Sequence, residues 1–211
     1  MKRLLSILLS FCALQITAQN TSFNSFNNSS KSSSLELQIG ELRFQTIDTR
    51  QGDFTVLWVE GLAKSYDLSN PDLPVFSKLI EVPKTGAINY SITSLSESIV
   101  DMAAQGFHNE LIPSQRSIFK NENPDKIRFL YNDDVYSKDV FYTQELVSIE
   151  RLGTMRGKTL ARIQIAPFAY NPLTNELKII DDIEIQISFE NEIKALANPY
   201  QSKEFQSNYL K

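Results

Sequence analysis

The 211-residue chain contains one cysteine, Cys12, and one histidine, His108. These scarcities exclude most reactive machinery. Cys12 lies inside an amino-terminal segment that reads as a cleaved signal, so no Cys–His nucleophile pair is expected in the mature chain, and a His/Cys zinc cluster or a disulfide framework needs more such residues than are present. Glycine is also sparse, at seven residues, and no phosphate-cradling loop or Gly-x-Ser-x-Gly elbow occurs. Beyond residue 18 no apolar run approaches the ~20 residues of a membrane-spanning helix. A basic surplus is missing too: 21 Lys and Arg stand against 25 Asp and Glu. A general nucleic-acid binder needs a basic face, so that class is excluded. The acid pairs Asp133-Asp134 and Asp181-Asp182 lack EF-hand spacing and read as turn residues, and His108 reads as a loop histidine. No metal and no cofactor is expected, and the chain by itself is expected not to be an enzyme.

The amino terminus has the pattern of an export signal. Met1-Lys2-Arg3 supplies positive charge, Leu4 to Leu14 is almost wholly apolar, and Thr17-Ala18 offers small residues for cleavage before Gln19. Phe11 before Cys12 is too bulky for a lipoprotein junction. Removing residues 1–18 takes away Lys2 and Arg3, so 21 basic residues become 19 against 25 acidic ones, a formal charge of −6. The expected location is outside the cytoplasm: periplasmic, cell-surface or extracellular.

Four segments follow. Residues 1–18 are the signal peptide. Residues 19–34 form a leader in which Asn20 to Ser34 hold seven Ser and four Asn, a composition too polar to offset its ordering entropy and therefore expected to be flexible. Residues 35–192 form one domain, and 193–211 a carboxy-terminal linker. Within the domain, apolar and polar residues alternate with the period of half-buried strands over Leu35–Ile39, Ile88–Ile92 and Ile183–Phe189, and less strictly over Leu42–Ile47. Phe54–Val59 and Val75–Val82 are denser β-type runs, and Glu145–Arg151, Leu160–Ile165 and Leu177–Ile180 continue the strand pattern. Ser98–Ala103 fits a strand or a short helix. Asp181-Asp182 is expected to make a tight hairpin turn between the last two runs. Trp58, Phe44, Phe54 and Tyr90 fall in strand patterns and are expected in the core. Short strands with turns between them predict an all-β fold, an antiparallel two-sheet sandwich of jelly-roll or immunoglobulin-like type. The stretch Gly106 to Asp134 is different: long, rich in Pro, Asn and Asp, and poor in apolar runs. Such connections are usually functional or disordered. It carries the cations Arg116 and Lys120.

Two blocks bear a family resemblance. Asn70-Pro71-Asp72-Leu73-Pro74-Val75-Phe76-Ser77-Lys78-Leu79-Ile80-Glu81-Val82-Pro83 is one. The other is Arg156-Gly157 followed by Ala166-Pro167-Phe168-Ala169-Tyr170-Asn171-Pro172-Leu173-Thr174-Asn175-Glu176-Leu177. Ile112-Pro113-Ser114, Glu122-Asn123-Pro124-Asp125 and Tyr136 fall between them in matching order. From Leu35 to Phe189 the sequence resembles the propeptides of gingipain-type cysteine peptidases. Read as residues, Leu73, Pro74, Pro83, Arg156, Gly157, Pro167, Tyr170, Asn171 and Pro172 are structural: Leu73-Pro74 enters a strand, and the Tyr-Asn-Pro block joins two strands.

The resemblance implies an all-β prodomain that holds a secreted Arg/Lys-specific cysteine peptidase latent and can assist its folding, in cis or in trans. It also implies an inhibitory loop between Pro113-Ser114 and Glu122. A basic residue two positions before that Glu fills the peptidase's specificity pocket. The matching residue is Lys120, with Arg116 the second choice. The best-studied pattern of the family has arginine there, so lysine is a departure, a point charge without a bidentate fork. No peptidase domain follows Lys211 in this sequence; a truncated precursor, an excised prodomain and a free-standing inhibitor are all compatible with it. The alternative from another class is an adhesive or glycan-binding sandwich at the cell surface, which needs exposed aromatics sharing a face or a calcium site.

Overall fold

The computed structural model describes residues 20–123 and 126–193. The expected signal peptide and all but the first residue of the carboxy-terminal linker lie outside the described residues, as do Pro124 and Asp125. Eleven strands follow in chain order: β1 (Ser22–Phe26), β2 (Ser32–Gln38), β3 (Leu42–Thr49), β4 (Gly52–Val59), β5 (Phe76–Val82), β6 (Ile88–Asp101), β7 (Tyr142–Thr143), β8 (Val147–Met155), β9 (Lys158–Ile165), β10 (Phe168–Asn171) and β11 (Glu176–Phe189). A 3₁₀ turn (Ala103–Gln105) and one short helix, α1 (Asp133–Tyr136), complete the set.

β11 organises the fold. β6 pairs along one edge for its full length, while β10 and β2 lie end to end along the other. β1 extends this sheet beyond β2, and β7 extends it beyond β10. A second sheet runs β5-β9-β8, and β3-β4 is a separate hairpin. Every ladder is antiparallel. Leu177, Ile179, Ile183, Ile185, Ile187 and Phe189 of β11 are buried, as are Leu35 and Leu37 of β2. They share one core with Ala161, Ile163 and Ile165 of β9 and with Leu57 and Val59 of β4. Alternation on each strand is thus one face turned toward a common interior. The all-β antiparallel sandwich expected from the sequence is the observed architecture.

The structure corrects several local expectations. Asp181-Asp182 is not a hairpin turn. It lies within the single 14-residue strand β11, and Asp181 is the unpaired residue of a β-bulge against β6. Thr93 is a matching extra residue on β6, so the two bulges cancel and the ladder returns to register. Neighbours on both edges satisfy the backbone of β11, and this outweighs the local turn preference of two aspartates. The acids stay paired at the bulge: Ser98 Oγ donates to Asp181 Oδ1 at 3.0 Å, and Gln38 Nε2 donates to Asp182 Oδ2 at 3.3 Å. Of the segment Ser98–Ala103, residues 98–101 belong to β6, while Ala103 opens the 3₁₀ turn.

The Ser/Asn-rich leader is also not free. β1 and the start of β2 lie inside it, paired with each other. Phe23 stacks on Phe76 with ring centroids 4.7 Å apart, and Lys78 Nζ lies 4.3 Å from the Phe23 centroid. One packed aromatic in a polar run is enough once a neighbouring strand supplies the hydrogen bonds. Burial pushes the Lys78 ammonium below its ordinary pKa. Trp58 and Tyr90 are not core residues: they are 48% and 43% exposed. Phe54 is buried, and Phe44 packs partly against the core. Pro74 precedes β5 by two residues, in a segment bridged to Ala63 through Val75, rather than opening the strand itself.

Candidate functional site

The long stretch from Gly106 is ordered by its base. Asn109 to Ser114 crosses the domain as an almost strand-like segment. Thr55 N–H donates to Glu110 O, and Ile112 N–H donates to Thr55 O, each at 2.8 Å. Thr55 Oγ donates to Asn109 O at 2.9 Å. On the far side Asp72 N–H donates to Ile112 O at 2.9 Å, Ser114 N–H to Asn70 O at 2.7 Å, and Ser69 N–H to Ser114 O at 2.9 Å. The Asn70–Leu73 block therefore serves as one wall of this channel, with Leu73, Pro74 and Pro83 buried.

The Tyr-Asn-Pro block supplies the other anchor. Tyr170, with 0% exposure, accepts from Leu111 N–H at 3.2 Å and donates to Asn175 Oδ1 at 2.9 Å. Tyr136 of α1 donates to Leu111 O at 2.7 Å, so two tyrosines engage both backbone polar groups of one residue. Asn175 takes a positive φ of 55° and donates from Nδ2 to Phe107 O at 2.7 Å. Asn171 Oδ1 accepts from Leu173 N–H at 3.1 Å, an Asx turn across Pro172, while its Nδ2 donates to Asp139 Oδ1 at 2.7 Å. Pro167 is buried at the β9–β10 joint. Arg156-Gly157 is the two-residue turn between β8 and β9, with φ values of 48° and 80°. Those left-handed values match a type I′ hairpin, and glycine carries the second without steric cost. Arg156 is thus a turn residue far in sequence and role from the loop.

Beyond Ser114 the chain leaves the body. Gln115 closes the neck: its Nε2 donates to Leu130 O at 2.7 Å, and its Oε1 accepts from Leu130 N–H at 2.9 Å. The side-chain amide replaces a strand's hydrogen-bonding edge. Further out, the Arg116 guanidinium meets Glu122 bidentately, Nη1–Oε2 at 2.8 Å and Nη2–Oε1 at 2.9 Å. Phe119 N–H donates to Glu122 Oε2 at 2.9 Å, and Glu122 N–H donates to Phe119 O at 3.0 Å. Lys120 and Asn121 are therefore the central residues of a closed turn. Arg116 holds the Glu122 carboxyl below the usual carboxylate range, with the Phe119 N–H assisting, and Arg116 is itself raised by Glu122. A depressed carboxylate keeps its interactions above its ordinary pKa and loses them only as pH falls below it, so the ion pair is intact through the neutral range.

The two sequence-level candidates now differ. Arg116 is engaged inside the loop. Lys120 stands exposed at the tip, with no hydrogen bond or ion pair among the described residues. Phe119 before it is 69% exposed, and Ile118 is exposed as well. On the loop's inner side Phe129 packs on Phe54 at 5.5 Å, beside a cavity of about 380 Å³ lined by Arg50, Arg116, Ile118, Ile127 and Arg128. Gln115 and the pairing role of Glu122 were not legible beforehand. A single amide folding back on its own loop leaves no periodic signal, and opposite charges six residues apart are common.

The tyrosines that anchor the loop carry a pH liability. Burial, above all, raises the phenol pKa of Tyr131, Tyr136, Tyr142 and Tyr170. Glu110 adds to the shift at Tyr131, which donates to its Oε2 at 2.9 Å; Asp67 adds to it at Tyr142, through the hydrogen bond between them. A group raised by folding stabilises fully below its unfolded pKa, about 10 for tyrosine, and loses that stability as pH rises. Alkaline titration is expected to leave these phenols neutral until the domain unfolds. Tyrosinate absorbance and loss of tertiary circular dichroism should then rise together above pH ~10. Stepwise ionisation of all tyrosines in the folded state would contradict this.

Among the described residues no cluster of His, Cys, Asp and Glu fits a metal ion, and no helix is long and apolar enough to cross a membrane. The site is a projecting loop on a rigid base, suited to entering a partner's cleft. Comparison with known proteins agrees with this geometry. The family model Propeptide_C25 matches residues 17–205. Lys-gingipain from Porphyromonas gingivalis is 31% identical over 177 residues, 84% of this chain. The match spans about a tenth of that relative's length, 10%. A solved structure concerning the zymogenic latency of gingipain K from Porphyromonas gingivalis superposes with a TM-score of 0.76 at 31% identity, covering 83% of this chain and 96% of that one. The complex of the pro- and mature domains of RgpB from the same organism gives a TM-score of 0.71 at 22% identity, covering 89% and 96%. With its sandwich, its Leu-Pro and Tyr-Asn-Pro anchors and nearly its whole length inside the matched span, this chain belongs to the Propeptide_C25 family.

Proposed function

We propose that the chain, once freed of residues 1–18, is an exported prodomain that holds a gingipain-type cysteine peptidase latent by occluding its cleft, in cis or in trans. The 35–192 sandwich is the binding body, together with the β1 strand that sequence reading assigned to the leader. The Lys120 ammonium enters the specificity pocket and meets a carboxylate there. Lysine offers a compact point charge rather than a fork, which favours a lysine-preferring peptidase. The likeness to Lys-gingipain and gingipain K supports the same preference. The single observation that carries this reading is the placement of Lys120, exposed at the tip of a braced loop and without a partner among the described residues. A contact of about 1,600 Å² in total would be ordinary for such a complex. The basic, apolar amino-terminal run supports delivery to the periplasm, the cell surface or the medium.

The glycan-binding alternative gains nothing from the exposed aromatics. Trp58 belongs to the β3-β4 hairpin and Tyr90 to the β11 sheet, so they form no shared platform. Arg43 already lies 5.2 Å from the Trp58 ring. Titrating the purified mature chain against one lysine-specific and one arginine-specific gingipain-type catalytic domain tests the proposal. Stoichiometric inhibition, tighter for the lysine-specific enzyme, is expected. Failure to inhibit either would overturn it.

A further inference from the structure

A loop that offers lysine to a lysine-specific peptidase is also a candidate substrate. Hydrolysis would add the peptidase nucleophile to the Lys120 carbonyl carbon and expel the Asn121 amine with a proton; water would then release the acyl fragment. What distinguishes inhibitor from substrate is the conformation around that bond. Peptides bind to clefts extended, through their main-chain groups, and reaction needs a near-attack arrangement at the scissile carbonyl. Here the Lys120–Asn121 bond is the middle of a turn. Phe119 O accepts from Glu122 N–H at 3.0 Å, Glu122 Oε2 accepts from Phe119 N–H at 2.9 Å, and both carboxylate oxygens are held by Arg116. Glu122 thus ties together both ends of the turn, and Arg116 ties Glu122 to the loop's incoming limb. Gln115 and Leu130 close the neck beneath, so the limbs cannot simply separate.

We propose that Arg116 and Glu122 are positioning residues that keep the Lys120 loop an inhibitor: their ion pair locks the Phe119–Glu122 turn and withholds the Lys120–Asn121 bond from hydrolysis. The inference rests on Lys120 being the pocket residue, and it adds a separate role for its two neighbours. It also accounts for a second cation on the loop, Arg116, whose side chain is 40% exposed yet held in an ion pair.

The test uses the mature chain and a lysine-specific gingipain-type catalytic domain. Variants are Arg116→Ala, Glu122→Gln, Arg116→Lys and Lys120→Ala. Three quantities are read: the initial inhibition constant, the rate of cleavage after Lys120 by mass spectrometry, and hydrogen exchange of the Phe119 amide in the free chain. Charge-assisted bidentate pairs are strong, and partial exposure reduces their effect. Cleavage after Lys120 is therefore expected to be about tenfold faster in Arg116→Ala and in Glu122→Gln, with faster Phe119 exchange. Arg116→Lys, which keeps the charge but loses the fork, should fall between these and the native chain. The initial inhibition constant should change far less than in Lys120→Ala. Native cleavage rates in both variants, with Phe119 exchange increased, would overturn the role assigned to the pair and leave Lys120 untouched. Inhibition by Lys120→Ala equal to that of the native chain would instead overturn the pocket reading, and this inference with it.

Discussion

Replacing Lys120 with alanine should weaken inhibition of a lysine-specific gingipain-type peptidase by roughly two orders of magnitude. Truncating one member of a buried, hydrogen-bonded charge pair at an interface costs about 2–5 kcal/mol, much of it from the partner charge left buried and unpaired. At about 1.4 kcal/mol per tenfold, that is a range from about thirtyfold to several thousandfold. The sandwich itself should be indifferent. Lys120 is exposed and has no partner among the described residues, and surface substitutions of this kind usually stay within about 0.5 kcal/mol of native stability. Inhibition constants and melting temperatures measured on one preparation separate the two effects. Lys120→Arg sharpens the test: a planar fork should carry the preference toward an arginine-specific enzyme. An unchanged inhibition constant for Lys120→Ala would remove the residue from the mechanism.

Tyr170→Ala should cost more stability than any change on the loop. The ring is wholly buried among Leu111, Leu177 and the rest of the shared core, and Phe/Trp→Ala truncations at such sites typically cost about 3–5 kcal/mol, a fair guide for tyrosine. That is a large part of the ~5–15 kcal/mol that a domain has in total. Tyr170→Phe isolates the hydroxyl. It keeps the packing but leaves the Leu111 N–H and the Asn175 side chain without their shared partner, at about 1–3 kcal/mol. Urea denaturation should resolve both losses. The phenylalanine variant should also show faster hydrogen exchange at Leu111, because the base of the projecting loop loses one of its two tyrosine anchors. Native-like stability in Tyr170→Phe would mean that the hydroxyl is incidental, and that the Tyr-Asn-Pro block acts through packing and turn geometry alone.

Much of the fold was visible in the order of residues. The clean alternation at Ile183, Ile185, Ile187 and Phe189 marked a strand with one buried face, and all four are buried. Leu35 and Leu37 were equally legible. Asp181-Asp182 misled because turn preference is a local energy of a fraction of a kcal/mol, whereas three neighbouring strands pair with β11 on both sides of that point. Trp58 and Tyr90 misled for a related reason. Period-two patterning reports that a strand has two unlike faces, but it does not say whether a second layer lies over the aromatic one.

The candidate site divides in the same way. Lys120 was singled out by its place relative to Glu122 within a recognisable block, which needed no coordinates. Its freedom, and the engagement of Arg116, depend on where a carboxylate six residues away comes to rest. The sequence alone determined the inventory of reactive residues: one histidine, and one cysteine that lies inside the apolar amino-terminal run, so residues 19–211 hold no Cys–His pair. The apolar side of strands such as β2 and β11 was likewise a local matter, set by side-chain spacing, whereas β1, β7, β10 and the continuity of β11 were not. Tertiary structure decided which polar groups answer one another: Gln115 with Leu130, Tyr170 with Leu111, Arg116 with Glu122. Hydrogen bonds and ion pairs depend on tenths of an ångström and on angle, and only the closed fold brings distant residues to that separation.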